Sequence, residues 1–122
     1  MVRKVIVYFD GNKTPEGVSC SYVLIDEMSG KQKEETVKLP TETTVPQAEY
    51  YGLIRALSAF KKTDKIELEI YGDSELVVKQ ILGEWECKNT QLRILRSKAR
   101  NLLNRFASWK LGWVPRTENK AR

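Results

Sequence analysis

Apolar and polar positions alternate along most of this chain, and the period of that alternation changes from one segment to the next. Val5 to Phe9 is a β-branched and aromatic run that reaches Asp10-Gly11-Asn12, which predicts a strand buried on both faces and stopped by a turn. After a loop carrying Pro15 and Gly17, Ser19 to Asp26 predicts a second strand. Ser29-Gly30 turns the chain, and Gln32 to Leu39 alternates weakly as a third strand, so the three form an antiparallel meander. The period then lengthens. Tyr50, Leu53, Ile54, Leu57 and Phe60 recur at helical spacing behind Thr44, a good N-cap, and Pro46, which suits a first turn. Lys61-Lys62 is expected to close that helix, where cations suit its dipole. Ile66, Leu68 and Ile70 alternate with Glu67 and Glu69 as a half-buried strand. Gly72-Asp73-Ser74 ends it and opens a short helix through Leu82, stopped by Gly83. Leu92, Leu95, Ala99, Leu102 and Phe106 mark a longer helix capped by Asn89 or Thr90. Trp109, Leu111 and Trp113 make a last strand, which Pro115 ends.

The order β-β-β-α-β-α-α-β predicts an α/β fold: one mixed five-stranded sheet, three antiparallel strands followed by β-α-β type additions, flanked by helices. No linker divides the 122 residues, so a single domain is expected.

Composition narrows the chemistry. The formal charge of +5 favours a polyanionic partner, because lysine and arginine release counterions from phosphates. The sequence has no histidine, which excludes histidine-based zinc sites and any histidine general base. Cys20 and Cys87 lack metal-ligand spacing and are expected to be semi-buried thiols in a reducing compartment. Carboxylates are then the metal ligands left in number, and they suit hard cations such as Mg²⁺ or Mn²⁺. No apolar stretch approaches a membrane span. A soluble, cytoplasmic, monomeric protein is expected.

Three acids sit where elements end or begin. Asp10 follows the first strand, and Asp73 follows the fourth and opens a helix. Glu49 lies one turn into the first long helix, on the face of Gly52, Leu53 and Ala56 that should pack toward the sheet. Strand ends and a covering helix can bring such carboxylates together, and like charges so crowded repel unless a cation lies among them. Each acid also has an ordinary role open to it: Asp10 as a turn residue, Asp73 as an N-cap, Glu49 as a first-turn acid favoured by the dipole.

The segments around these acids resemble the ribonuclease H family, type 1. Tyr8-Phe9-Asp10-Gly11 is similar to its first-strand motif, and Gln47-Ala48-Glu49-Tyr50 to its helix motif. Tyr71-Gly72-Asp73-Ser74-Glu75-Leu76-Val77-Val78-Lys79-Gln80, with Gly83 and Trp85, is similar to its longest signature. Trp113-Val114-Pro115-Arg116, with Glu118-Asn119, is similar to the segment before its last catalytic acid. The likeness spans nearly the whole chain, in order. It implies an endonuclease that cuts the RNA strand of an RNA–DNA hybrid, leaving a 5′ phosphate. It implies two Mg²⁺ ions (Mn²⁺ can substitute) about 4 Å apart on Asp10, Glu49 and Asp73. Asp10 would bridge both ions, Glu49 would hold the side that activates water and help orient a 2′-hydroxyl, and Asp73 would sit at the leaving-group side. Nucleic-acid contacts are expected from Gly11, Asn12, Gln47, Ser74 and Glu75, and further along from Trp85, Lys88, Asn89 and Arg116. Arg93, Arg96 and Lys98 are candidate strand contacts or a solvated helix face. Trp85 is expected in the core or half-core. Arg116 is expected near the scissile phosphate or in a structural ion pair.

Several positions depart from the family. Its fourth acid falls four residues after the place of Asn119, at position 123, one past Arg122. A chain cut short there, or one working with three side-chain acids, is expected, with metal binding and catalysis weakened more than substrate binding. In the second case the Arg122 α-carboxylate is the nearest anion to the missing place, on a tail that either frays or begins a helix. Val45 and Pro46 stand where the family often has Asn-Asn, and Glu75 where it often has glutamine; neither pair change keeps an amide donor for the minor groove. The basic handle of some members is absent. These departures keep open a catalytically weak or inactive nucleic-acid-binding module on the same fold, and another nuclease of the superfamily, such as an exonuclease or resolvase.

Overall fold

The computed structural model describes residues 2–122. Its elements are β1 (Arg3–Thr14), β2 (Gly17–Asp26), β3 (Gln32–Leu39), α1 (Val45–Ser58), β4 (Ile66–Gly72), α2 (Glu75–Leu82), α3 (Thr90–Leu103) and β5 (Ser108–Trp113), followed by a short 3₁₀ turn at Arg116–Glu118. One five-stranded sheet has the order β3-β2-β1-β4-β5. The pairs β1–β2 and β2–β3 are antiparallel, and β1–β4 and β4–β5 are parallel. Parallel neighbours need long crossovers, and α1 supplies one while α2 and α3 together supply the other.

The register sorts the side chains. Val7 lies opposite Leu24 and Ile70, and Phe9 opposite Tyr22, all on one face. Tyr50, Leu53 and Leu57 of α1 bury that face together with Leu95, Ala99 and Leu103 of α3. The opposite face is more open. Ile6 and Tyr8 are only half-buried there, so β1 is not buried on both sides as its apolar run predicts. Tyr8 instead packs against Tyr71, with ring centroids 5.7 Å apart, and Lys4 reaches Glu69 at 3.6 Å.

Other boundaries also moved. No turn stops β1 at Asp10-Gly11-Asn12. The strand stays paired with β2 as far as Thr14↔Gly17, and the hairpin turns at Pro15-Glu16. Thr44 caps α1 with a full capping box to Gln47, but the helix ends at Ser58, before Lys61-Lys62. Asn89 caps α3, which ends at Leu103, so Phe106 lies beyond the helix and packs edge-on against Phe60 at 5.4 Å. Cys20 and Cys87 are both free and fully buried rather than half-buried. No helix among the described residues is long and apolar enough to cross a membrane.

Candidate active site

Two glycines set how closely α1 lies on β1. A Cβ on Gly11 would come within 2.3 Å of the Glu49 backbone nitrogen, and one on Gly52 within 2.6 Å of the Asp10 carbonyl oxygen. No side chain fits at either place, so the backbones of strand and helix touch directly. That contact carries Glu49, in the second turn of the helix, down beside Asp10 in the middle of β1. The third acid arrives from the neighbouring strand. β4 ends at Gly72, the partner of Phe9, and Asp73 follows immediately. Ser74 and not Asp73 caps α2, its hydroxyl accepting from the Val77 N–H at 3.3 Å. The Asp73 carboxylate is thereby left for the site, while its carbonyl accepts from Trp113 Nε1 at 3.1 Å.

Asp10, Glu49 and Asp73 each offer an oxygen, and these oxygens lie within 4.8 Å of one another. Asp10 and Glu49 are 8% and 5% exposed, so solvent does little to screen them. Burial, then the Asp73 charge, pushes the Asp10 carboxyl up to about 6. Burial, then the charges of Asp10 and Asp73, pushes Glu49 up to about 9. Glu49 Oε2 and Asp73 Oδ2 are buried without a hydrogen-bond partner. Unsatisfied carboxylate oxygens this close cost several kcal/mol unless a proton or a cation compensates them. An all-oxygen donor set with two orphaned buried atoms fits a hard divalent cation.

The remaining predicted residues surround this centre unevenly. Gly11 acts through the helix contact just described. Asn12 is exposed farther along β1. The Gln47 side chain is already engaged: its Oε1 accepts from Thr44 N at 2.9 Å, and its Nε2 donates to Gln91 Oε1. Val45 is 44% exposed and Glu75 is exposed, so the rim near Glu49 and Asp73 presents an apolar group and an acid. Arg116 lies on the 3₁₀ turn, and its charge draws the Asp10 value down, against the larger upward effects. Farther off, Asn89 is occupied as the α3 cap, and Lys88 pairs with Glu86 at 3.5 Å. Trp85 is 41% exposed, outside the core, with Lys79 Nζ 5.4 Å from its ring centroid. Arg93 and Lys98 are exposed, and Arg96 is half-buried with its Nε unpartnered.

Two contributors were not singled out from the sequence. One is the Trp113 bond to Asp73, which no spacing reveals. The other is Asn119, buried at 5% exposure, whose Nδ2 donates to the Phe9 carbonyl at 2.9 Å. Its only sequence signal is its place in the last family-like segment.

A mixed sheet of this order, with three acids gathered between its central strands and its first helix, defines a protein of the ribonuclease H-like class. A family model described as reverse transcriptase-like matches residues 8–121. Ribonuclease HI of Halobacterium salinarum is 36% identical over 121 residues, covering 96% of this chain and 59% of that protein. The crystal structure of ribonuclease H1 from the same archaeon superposes with a TM-score of 0.80 at 35% identity, covering 97% of this chain and 90% of that one. LC11-RNase H1, solved in complex with an RNA/DNA hybrid, gives a TM-score of 0.83 at 28% identity, covering 95% and 88% of the two chains. The chain belongs to the ribonuclease H family and fits its type 1 branch. It spans 59% of the length of its curated Halobacterium relative.

Proposed function

We propose that this chain is a divalent-metal-dependent endoribonuclease that hydrolyses the RNA strand of RNA–DNA hybrids. The observation that carries the proposal is the buried convergence of Asp10, Glu49 and Asp73 within 4.8 Å, with carboxylate oxygens left unpartnered. Membership of the family and the hybrid bound by LC11-RNase H1 support the substrate. Asp10, Glu49 and Asp73 would hold Mg²⁺ or Mn²⁺, which supplies Lewis acidity toward water and phosphate when bound.

The protein's own contribution is placement. Gly11 and Gly52 hold α1 against β1, so Glu49 and Asp10 cannot separate to relieve their repulsion. Arg116 brings positive charge to the Asp10 side, where a scissile phosphate would lie. In the net reaction water adds to phosphorus, the bond to the 3′ oxygen breaks, and the products are a 3′ hydroxyl and a 5′ phosphate. With two free buried thiols, a reducing, cytoplasmic setting belongs to the same proposal.

A second reading is a hybrid-binding module with weak or no cleavage. It is favoured by the cluster's three carboxylates among the described residues and by the missing amide donors at Val45, Pro46 and Glu75. One assay separates the two. Labelled hybrid, single-stranded RNA and duplex DNA are each incubated with Mg²⁺, Mn²⁺ or chelator. Metal-dependent cutting of the RNA strand in hybrid alone supports the nuclease. Binding without cutting supports the module, and cutting of duplex DNA points to another nuclease of the superfamily. Extension by an aspartate at position 123 should raise cleavage if the family's fourth ligand is what limits it.

A further inference from the structure

We infer that Asn119 is a positioning residue, which locks the strand segment carrying Asp10 to the segment that follows the 3₁₀ turn. The inference rests on the metal-site reading above only in what the lock is for; the lock itself is geometric. Asn119 is 5% exposed, and a buried amide must use both its ends. Its Nδ2 donates to the Phe9 carbonyl at 2.9 Å, one residue before Asp10, where the β1–β4 pairing runs out at Phe9↔Gly72. Its Oδ1 accepts from the Ala121 N–H at 3.0 Å. The Ala121 carbonyl in turn accepts from the Ser21 hydroxyl at 2.5 Å, and Ser21 is the register partner of Asp10 on β2. A closed circuit therefore runs Phe9, Asn119, Ala121, Ser21 and back across the β1–β2 ladder, with Asp10 inside it.

The neighbours support a docked segment and not a frayed one. Ala121 is 7% exposed, Arg122 N–H donates to the Asn119 carbonyl at 3.2 Å, and Lys120 Nζ lies 5.8 Å from the Tyr8 ring centroid. The circuit opposes the one movement that would relieve the site. When both are ionised, as a bound cation requires, Asp10 and Glu49 repel, and α1 blocks withdrawal on the helix side, so the free direction for the Asp10 segment is toward the open face of the sheet. The segment 119–121 closes that direction.

The experiment uses the whole chain with Asn119→Ala, Ser21→Ala and the double change. Three quantities are read: the backbone amide NMR signals of Asp10, Gly11 and Ser21, Mn²⁺ affinity by calorimetry, and kcat and KM on hybrid. Asn119→Ala is expected to shift those amide signals, weaken Mn²⁺ binding about tenfold and lower kcat about tenfold, with KM changed less than twofold. Ser21→Ala is expected to give a smaller loss of the same kind, and the double variant to lose no more than Asn119→Ala, because both act through Ala121. Unchanged Asp10 and Gly11 signals with wild-type Mn²⁺ affinity, whatever happens to the melting temperature, would overturn the inference. If Asn119→Ala fails to fold, Ser21→Ala decides it: shifted Asp10 and Gly11 signals with weakened Mn²⁺ binding uphold the lock, and wild-type signals and affinity overturn it. A wild-type chain that binds no Mn²⁺ sinks the metal reading, and the amide signals then judge the lock alone.

Discussion

The carboxylate centre and the rim around it are built on opposite principles. At the centre, Asp10 and Glu49 are almost wholly buried, Glu49 Oε2 and Asp73 Oδ2 have no hydrogen-bond partner, and two glycines hold strand and helix in contact. At the rim, several polar side chains that could meet a substrate are already spent and others are replaced, while Asn12, Arg93, Lys98 and Arg116 stay exposed. Thr44, Ser74 and Asn89 cap the three helices, Gln47 closes the capping box, and Val45 is apolar and exposed. The difference teaches which part of the protein is committed to one chemistry. Instability is concentrated where a cation can relieve it, and no comparable tension exists at the rim. On the proposed reading, affinity for nucleic acid should therefore come from charge spread over the surface, and metal chemistry from one point.

The largest effect expected from breaking this contrast is at its centre. Asp10→Asn removes the carboxylate that both other acids face, and should abolish Mn²⁺ binding and cut hybrid cleavage by about a thousandfold or more. Hybrid binding, followed by fluorescence anisotropy without metal, should change less than threefold, since the rim is untouched. A variant that keeps cleavage would show that the cluster is not the reacting centre.

Next comes the contact that creates the centre. Gly52→Ala places a methyl 2.6 Å from the Asp10 carbonyl, so α1 must move away from β1. Overpacking of this kind costs about 1–3 kcal/mol, visible as a lower urea midpoint, and Mn²⁺ affinity should fall with it. A stable variant with wild-type metal affinity would mean that helix and strand have more freedom than the backbone contact allows.

This contact also explains where reading the residues in order succeeded and where it failed. Element types and sheet architecture follow from local periodicity, and Thr44, Gly83 and the alternation in β4 place their elements correctly. The three acids were visible because they stand inside family-like motifs. What was missed depends on residues far apart in the chain. Asp10-Gly11-Asn12 resembles a turn by composition, yet it is strand, because β2 pairs along its whole length and Gly11 exists to admit α1. Lys61-Lys62 suits a helix end, but α1 stops earlier, at Ser58, with Ala59 as its C-cap. Trp85 is large and apolar, but it lies on the loop after α2, against Lys79. Asn119 stands in the sequence only as part of the last family-like segment, and its bond to Phe9, 110 positions away, reveals it as buried structure.

A smaller effect is expected from sharpening the rim. Val45→Asn with Pro46→Asn and Glu75→Gln restores amide donors beside the centre and removes an acid that repels phosphate. Hybrid binding should tighten about tenfold relative to duplex DNA, and the slope of affinity against salt should change little, because the added contacts are not ionic. The readout is anisotropy with the two duplexes across a salt series. An unchanged ratio would show that substrate choice does not reside at these positions.

The smallest effect is thermodynamic, and it tests whether the centre carries the tension described. Asp10 and Glu49 have ordinary values of 3.8 and 4.5 when unfolded, and in the folded chain they rise to about 6 and about 9. An acid whose folded value is the higher one binds its proton more tightly in the native state. Between the two values the native protein therefore holds more protons than the unfolded chain, and its stability falls as pH rises. The favourable contribution is fully present below about pH 4 and has vanished by about pH 9. Metal-free protein should thus melt about 5 °C lower at pH 8.5 than at pH 5.5 on account of these groups, equivalent to about 1 kcal/mol after relaxation and solvent entry. Asp10→Asn and Glu49→Gln should each flatten that dependence and raise the melting temperature at pH 8.5. Millimolar Mg²⁺ should raise it too, and more at pH 8.5 than at pH 5.5, because the cation needs the ionised carboxylates that the bare site resists. A calorimetric melting series from pH 5 to 9, with and without Mg²⁺, measures all of this. A metal-free protein that grows more stable toward pH 9, with Glu49→Gln tracking the wild type, would mean that the three acids are comfortable without a cation and that the contrast between centre and rim is false.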